Sequence, residues 1–473
     1  MANRRGSTSR RPVALSMGRH LAILSALLLF LAGCGETASP GETSGGASVP
    51  ATSDGTGTGS GGDDELLAQC NVEIPSVDVN FGMAPFGDHV IYSAAMANGW
   101  FDEVGITIGP EQFSTIAYDQ ITPLLVNEDY DVTSQYGPNQ LQVMANAPQI
   151  QQFTFSDTYS GLFFLASPES DYNTVPDLLE EGMSFEEAAE QAVGQMAGTR
   201  VAIDDTGSHR AFVDKVFELG GIAPDDIAEL QTVDDARMLL LARGGQVDFA
   251  KPLGGAQTAE LILDGWYPII GAEDVIRGLP PGDPAGVTGI GHTGLATRID
   301  VWENDPDTLL RIAGVMFRVI DQIKIDIEEE TDEALGDILP VLESAAAVDI
   351  GVDGLRVIYG MIDPMRSFEE QTEYWTEEDN PFYFANVYQP QIDALVEGGV
   401  IPEDAVFTPD EAFLGPEVYT ALVEHKTAYD ELVGDAEGLD GDGARLAEIA
   451  AEHYQNRNYV DARRILEAAV GGC

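Results

Sequence analysis

Only four of the 473 residues are lysine and only three are cysteine, while Asp and Glu number 80 against 23 Lys and Arg, a formal net charge of −57. So little positive charge excludes proteins that grip phosphate backbones or anionic headgroups, because that grip is Lys and Arg neutralising negative charge. No nucleic acid is expected as a partner. The sequence also lacks Cys-x-x-Cys, His-Glu-x-x-His and Gly-x-Ser-x-Gly, which takes away common signatures of redox, metalloprotease and ester-hydrolase chemistry. His89, His209 and His292 have no metal-ligand spacing, Asp440-Gly441-Asp442-Gly443 fails as a calcium loop at Ala444, and the Gly-x-Gly-x-x-Gly matches at 57–62 and 289–294 lack the strand–turn–helix context of a dinucleotide site. Neither catalytic residues, nor a metal, nor a cofactor is expected. What is present suffices for a core: 44% hydrophobic and 8% aromatic residues, in a chain long enough for two or three domains of about 100–200 residues.

The N-terminus reads as an address. Arg4, Arg5, Arg10, Arg11 and Arg19 precede an apolar run at 21–32, and no acid occurs before position 34. Twelve apolar residues are too few to span a bilayer, which takes about 18 or more, so residues 1–33 are read as an export signal. The run ends in Leu31-Ala32-Gly33-Cys34, which resembles the lipobox of bacterial lipoproteins. That resemblance implies diacylation of Cys34 and anchoring on the outer side of the cell membrane. Ser9-Arg10-Arg11 leaves the twin-arginine export route open beside the general one. Residues 34–70 are read as the lipidated Cys and a flexible linker, since 35–62 is rich in Gly, Ser and Thr without an aromatic, Leu or Ile. Such a tether reaches about 30 Å. The two other cysteines, Cys70 at the start of the folded body and Cys473 at its end, are expected to form a disulfide once outside the reducing cytoplasm.

Downstream, short alternating or apolar runs (77–81, 106–108, 130–133, 151–155, 161–166, 201–203, 247–249) are separated by helical patterns such as 88–98, the alternation of an α/β sheet. The stretch FGMAPFGDHVIYSAAMANGWFDEVGITI (81–108) resembles the opening of the substrate-binding proteins of nitrate, sulfonate, taurine and thiamine-pyrimidine-precursor ABC importers. Stretches at 175–222, 236–266 and 294–312 are similar to later parts of that family in the expected order. An acidic insert at 179–197 and the chain beyond about 330 depart from it. The resemblance implies an α/β, two-lobed periplasmic-binding-protein type II fold with a hinge and an interlobe ligand cleft. It places the large lobe at 71–162 and 291–430, the small lobe at 163–290, and crossing segments near 159–164 and 292–296. Residues 431–473 are read as a helical extension, with two helices around 456–459.

Candidate ligand contacts follow from position at strand ends, where ligands of open α/β sheets bind. The loop after the 201–203 strand offers Thr206, Gly207, Ser208 and His209 at a helix start suited to an anionic or polar group; the bland alternative is that Thr206 or Ser208 merely caps its own helix. Phe86, Asp88, His89 and Tyr92 would present an aromatic wall and a carboxylate, as would Tyr136 and Asn139 after a strand and Tyr159 and Ser160 on the crossing segment. Lys251, a rare lysine at a strand's carboxyl end, is a candidate anchor. The aromatics and Asp88 favour a cationic or donor-bearing solute, whereas the Ser208 loop and Lys251 favour an anion; the balance leans to a small organic molecule with an anionic group. The expected function is a monomeric, non-enzymatic solute receptor that hands its ligand to an ABC permease and its ATPase. An exported hydrolase and a non-transport scaffold lipoprotein are the alternatives. The acid excess reads as a surface suited to strong counter-ion screening.

Overall fold

The computed structural model describes residues 61–473 except 110, 205–207 and 347–348; the export signal, Cys34 and most of the linker lie outside the described residues. Two sheets organise the chain. The first has strand order β4-β2-β5-β13-β6, with β7 also paired to β13, where β2 is Phe81–Met83, β4 Phe113–Thr115, β5 Val132–Tyr136, β6 Ile150–Gln152, β7 Asp157–Tyr159 and β13 Gly291–Arg298. Its left half is parallel, and β13 runs antiparallel to β5, β6 and β7. The second has order β10-β9-β11-β8-β12, with β8 Phe163–Ala166, β9 Arg200–Ile203, β10 Glu229–Thr232, β11 Phe249–Lys251 and β12 Tyr267–Gly271. A small two-stranded pair, β1 (Val77–Asp78) with β3 (Ile106–Thr107), completes the strands of the described residues. This is the two-lobed α/β architecture expected, with one sheet per lobe.

Both passages between lobes are visible in the strand order. The chain leaves the first sheet at Tyr159 and enters the second at Phe163; it returns between the helix Ala272–Gly278 and β13. The return passage therefore precedes Gly291, and 292–296, read from the sequence as a crossing segment, is the middle of a buried strand of the first sheet. The reason is its pairing on both sides with β5, β6 and β7, which an open crossing could not satisfy. Gly294 makes that packing feasible: a Cβ there would lie 1.8 Å from the Thr154 carbonyl oxygen, so any side chain would force the backbones apart.

The acidic insert is structured. Within it, Phe185–Gly194 is a helix opened by a capping box between Ser184 and Glu187, and its Ala188, Ala189, Ala192 and Val193 are buried against the small lobe while its glutamates face water.

The span read as linker is also shorter than expected. Gly61–Gln69 is helical, and its Leu66 and Leu67 pack with Tyr429, Leu446, Ile449, Ile465 and Leu466 in a separate core. Arg445 grips Asp63 through two bonds of 2.9 and 2.7 Å. The helices Gly415–Ala436, Gly441–Gln455 and Tyr459–Gly471 supply the other side of this core, so the helical extension starts before 431. Cys70 and Cys473 are bonded, with Cα atoms 5.2 Å apart. The bond closes almost the whole folded chain into one loop, so Cys70→Ser with Cys473→Ser lowers stability by about 2–4 kcal/mol; a thermal melt in which the double variant matched the parent would refute this.

Candidate functional site

The turn after β2 carries the first site residues. Ala84 N–H donates to Ser134 Oγ at 2.9 Å, and His89 Nδ1 lies 2.8 Å from the same oxygen. This double contact pins the turn to the middle of β5. His89 is buried, and that burial lowers its pKa more than neighbouring Asp88 raises it, so the ring is neutral at pH 7. The helix expected from 88 begins only at Tyr92, because the turn contacts hold the preceding residues. That leaves Asp88 at the site, 13% exposed, with Thr293 Oγ1 donating to Oδ2 at 2.5 Å and His89 Nε2 3.8 Å away.

Two further carboxyls converge there. Asp157 stands opposite Thr293 in the β7–β13 register and is fully buried. Ser156 Oγ is 2.7 Å from Asp157 Oδ2 and 3.0 Å from the Thr293 carbonyl oxygen. The hydroxyl donates to the Asp157 carboxyl, with the Thr293 carbonyl as the second, longer acceptor of the same proton. Burial and then Asp88 push the Asp157 carboxyl well above the ordinary range, against the opposing pull of Ser156, Thr293 and Arg366. Asp363 follows the π-helical turn Ile358–Ile362, and burial, then Asp88 and Asp157, raise its pKa in the same way. Asp157 Oδ1 and Asp363 Oδ1 are both buried without a hydrogen-bond partner. Neither residue has an ion pair among the described residues. Arg366, whose charge acts on Asp157, lies 3.7 Å from Glu273 and 3.8 Å from Glu373.

Tyrosines surround the carboxyls. Tyr136 and Tyr159 meet edge to face at 6.4 Å, and Phe86 and Tyr118 do so at 5.7 Å. Tyr359 donates to the Gly87 carbonyl at 2.8 Å. Tyr92 is buried and looks toward Ser156 and Asp157, yet its hydroxyl makes no hydrogen bond of ordinary geometry. Burial foremost, with help from these carboxylates, raises the pKa of Tyr92, Tyr118 and Tyr359, so all three are neutral. Gly291 makes room for one wall, since a Cβ there would sit 2.5 Å from the Tyr136 ring. Beneath the site, His292 stacks on Phe155 at 4.4 Å, its pKa pushed down to about 3 by burial and by Arg366.

Of the residues singled out in the sequence, Phe86, Asp88, His89, Tyr92, Tyr136 and Tyr159 are brought into this one cluster. Ser160 is buried on the crossing segment, where its N–H and hydroxyl both face the Ile362 carbonyl at 3.0 and 3.4 Å, so it ties the passage to the Asp363 turn. Asn139 is half-buried in the first turn of the helix Gly137–Met144. Lys251 is fully buried at the end of β11 and donates to the Asp204 carbonyl at 3.2 Å. Thr206 and Gly207 lie outside the described residues, as do the side chains of Ser208 and His209. Sequence reading missed Tyr118, Asp157, Thr293, Tyr359 and Asp363. Only Asp157 left a trace, as an acid inside an otherwise apolar and hydroxylic run.

No family model matches the chain, and no curated protein matches it. Among solved structures it is similar to the periplasmic sulfonate-binding protein SsuA of a sulfonate ABC transporter from Methylobacillus flagellatus KT, at 13% identity and a TM-score of 0.46, over 74% of this chain and 94% of that one. It is similar to the periplasmic aliphatic sulphonate-binding protein SsuA from Escherichia coli at 11% identity and a TM-score of 0.44, over 71% and 91%. The desulfurization enzyme DSZB is a further neighbour, at 11% identity and a TM-score of 0.41, over 75% and 100%.

Proposed function

We propose that this protein is an extracytoplasmic solute receptor, tethered through lipidated Cys34, that closes its two lobes on a small solute and delivers it to an ABC permease. The observation that carries the reading is the convergence of aromatic walls and unpartnered buried polar atoms where the chain passes between its sheets. A protein interior satisfies its polar groups, so orphaned oxygens at a hinge mark a place built for a third party. Closure then needs no bond chemistry: a solute touching both lobes populates the closed state by its differential affinity for it. Among the described residues no helix is long and apolar enough to cross a membrane.

The hydrolase alternative has one feature in its favour and fails on it. Ser134, His89 and Asp88 form a chain of contacts with the residue types of a hydrolytic triad. The order is inverted, however: Ser134 is fully buried and its oxygen is occupied by the Ala84 N–H, while the carboxylate is the member that reaches the site. A nucleophile must reach its substrate before its base matters.

Thermal shift against nitrate, taurine, alkanesulfonates, bicarbonate, pyrimidines, amines and quaternary ammonium compounds tests the receptor reading. At least one is expected to raise the melting temperature by several degrees; ester turnover with no shift from any solute would sink it. Loss of membrane retention in Cys34→Ala checks the anchor.

A further inference from the structure

Which solute the cluster takes follows from its charge and its walls, and the argument rests on the receptor reading above. Three carboxyls, Asp88, Asp157 and Asp363, act on one another at the passage between lobes. Each has its own supports: Asp88 takes the Thr293 hydroxyl, Asp157 takes Ser156, and Asp363 keeps one oxygen unpartnered, as Asp157 does. Of the cations within electrostatic reach, His89 and His292 are held neutral by burial, and Arg366 stands 3.7 Å from Glu273 and 3.8 Å from Glu373, with its buried Nε making no hydrogen bond. Lys251 donates to the Asp204 carbonyl. The remaining titratable groups facing the carboxyls are tyrosines: Tyr92, Tyr118, Tyr136, Tyr159, Tyr359, and beyond them Tyr374 and Tyr388, all kept protonated chiefly by burial.

An anion placed here would face three acids and the negative faces of several rings. A cation would meet the opposite: carboxylate oxygens without partners and π faces that attract positive charge. We infer that the ligand of this receptor is a small organic cation, an alkylamine or quaternary ammonium compound, held by Asp88, Asp157 and Asp363 beside the paired rings of Tyr136 and Tyr159.

The arrangement has a consequence specific to a cationic ligand. In the free protein burial and mutual repulsion disfavour the ionised forms of Asp157 and Asp363. A bound cation favours the ionised forms, so binding expels protons. By linkage, affinity rises with pH, up to tenfold per pH unit for each proton expelled, until pH passes the raised carboxyl pKa of the free protein, and is flat above it. An anion shows the reverse slope.

Isothermal titration of the full chain with choline, tetramethylammonium and putrescine, and in parallel with taurine, methanesulfonate and nitrate, at pH 6 and pH 8 in buffers of differing ionisation enthalpy, decides the matter. The expected result is binding of at least one of the cations, tighter at pH 8, with net proton release, and a loss of tenfold or more in Asp363→Asn. Because that variant could be damaged for other reasons, the slope of affinity with pH in the parent protein stands as an independent readout. Binding of an anion with no cation bound, or cation binding that weakens as pH rises, overturns the cation inference and leaves the receptor reading intact. Silence from every solute here and in the wider thermal-shift panel overturns both.

Discussion

Asp461→Ala is expected to cost about 3–5 kcal/mol of stability, more than most single substitutions. Asp461 opens the last helix, Tyr459–Gly471, and is 1% exposed; Arg311, on the long helix Pro306–Glu328 of the large lobe, is fully buried. The two meet through paired bonds of 2.8 and 2.7 Å, and Asn458 donates to Asp461 Oδ2 at 2.7 Å. Removing the carboxylate leaves a guanidinium in the interior with Nη1 already lacking a partner, and the cost is that stranded charge rather than the worth of the pair itself. The double change Arg311→Met with Asp461→Leu is therefore expected to recover most of the loss, since a buried pair replaced by apolar groups of similar volume is often neutral. Urea unfolding of the three variants checks this; a double variant as weak as Asp461→Ala would show that shape, not charge, holds the helices together. The pH dependence has a defined sign. Burial pushes the Asp461 pKa up, but Arg311 and Asn458 outweigh it and the net shift is downward. The pair's contribution is thus complete above the unfolded carboxylate pKa of about 3.9 and is lost as pH falls through the lower folded value.

The fold was legible where local chemistry and tertiary placement agree. The runs at 161–166 and 201–203 are apolar because strands β8 and β9 lie inside a sheet with buried faces, and sequence marks such strands clearly. The run at 247–249 is displaced by two residues in the structure, to Phe249–Lys251. Asp248 lies outside the apolar pattern for another reason: it takes the Arg200 N–H and guanidinium at 2.6–3.0 Å. The long strand β13 was misread as a crossing segment because Gly291, Thr293 and Gly294 weaken its pattern, and both glycines are there to let neighbours approach. The site was half legible. Phe86, Asp88, Tyr136 and Tyr159 sit at ends of recognisable strands, which is where chain direction alone places ligand contacts. Tyr359 and Asp363 come from a π-helical turn in the region where no resemblance guides the reading, and they reach Gly87 and the Asp88 carboxylate only through the packing of the large lobe. Nothing local to their own sequence could reveal that.

The same three carboxyls predict a conflict between stability and binding, and Asp363→Asn exposes it. A carboxyl whose pKa is raised on folding stabilises the native state fully below its unfolded pKa, and that contribution is lost as pH climbs through the folded value. Burial and the neighbouring Asp88 and Asp157 place Asp363 in this category. Asparagine keeps the shape and cannot ionise, so the ligand-free variant should match the parent near pH 4 and melt above it at pH 8. Its ligand affinity should fall at the pH where its stability gains. Asp88→Asn should also weaken binding, because its carboxyl is partly exposed at the site and accepts from Thr293. Melting temperatures of the ligand-free parent and both variants from pH 4 to pH 8 check the argument. If Asp363→Asn were destabilised at pH 8 and unchanged at pH 4, the carboxylate would be stabilising the fold, and the case that it is held there for a ligand would lose its physical basis. A protein that keeps an ionisable group where it weakens the free state retains it for what the bound state gains.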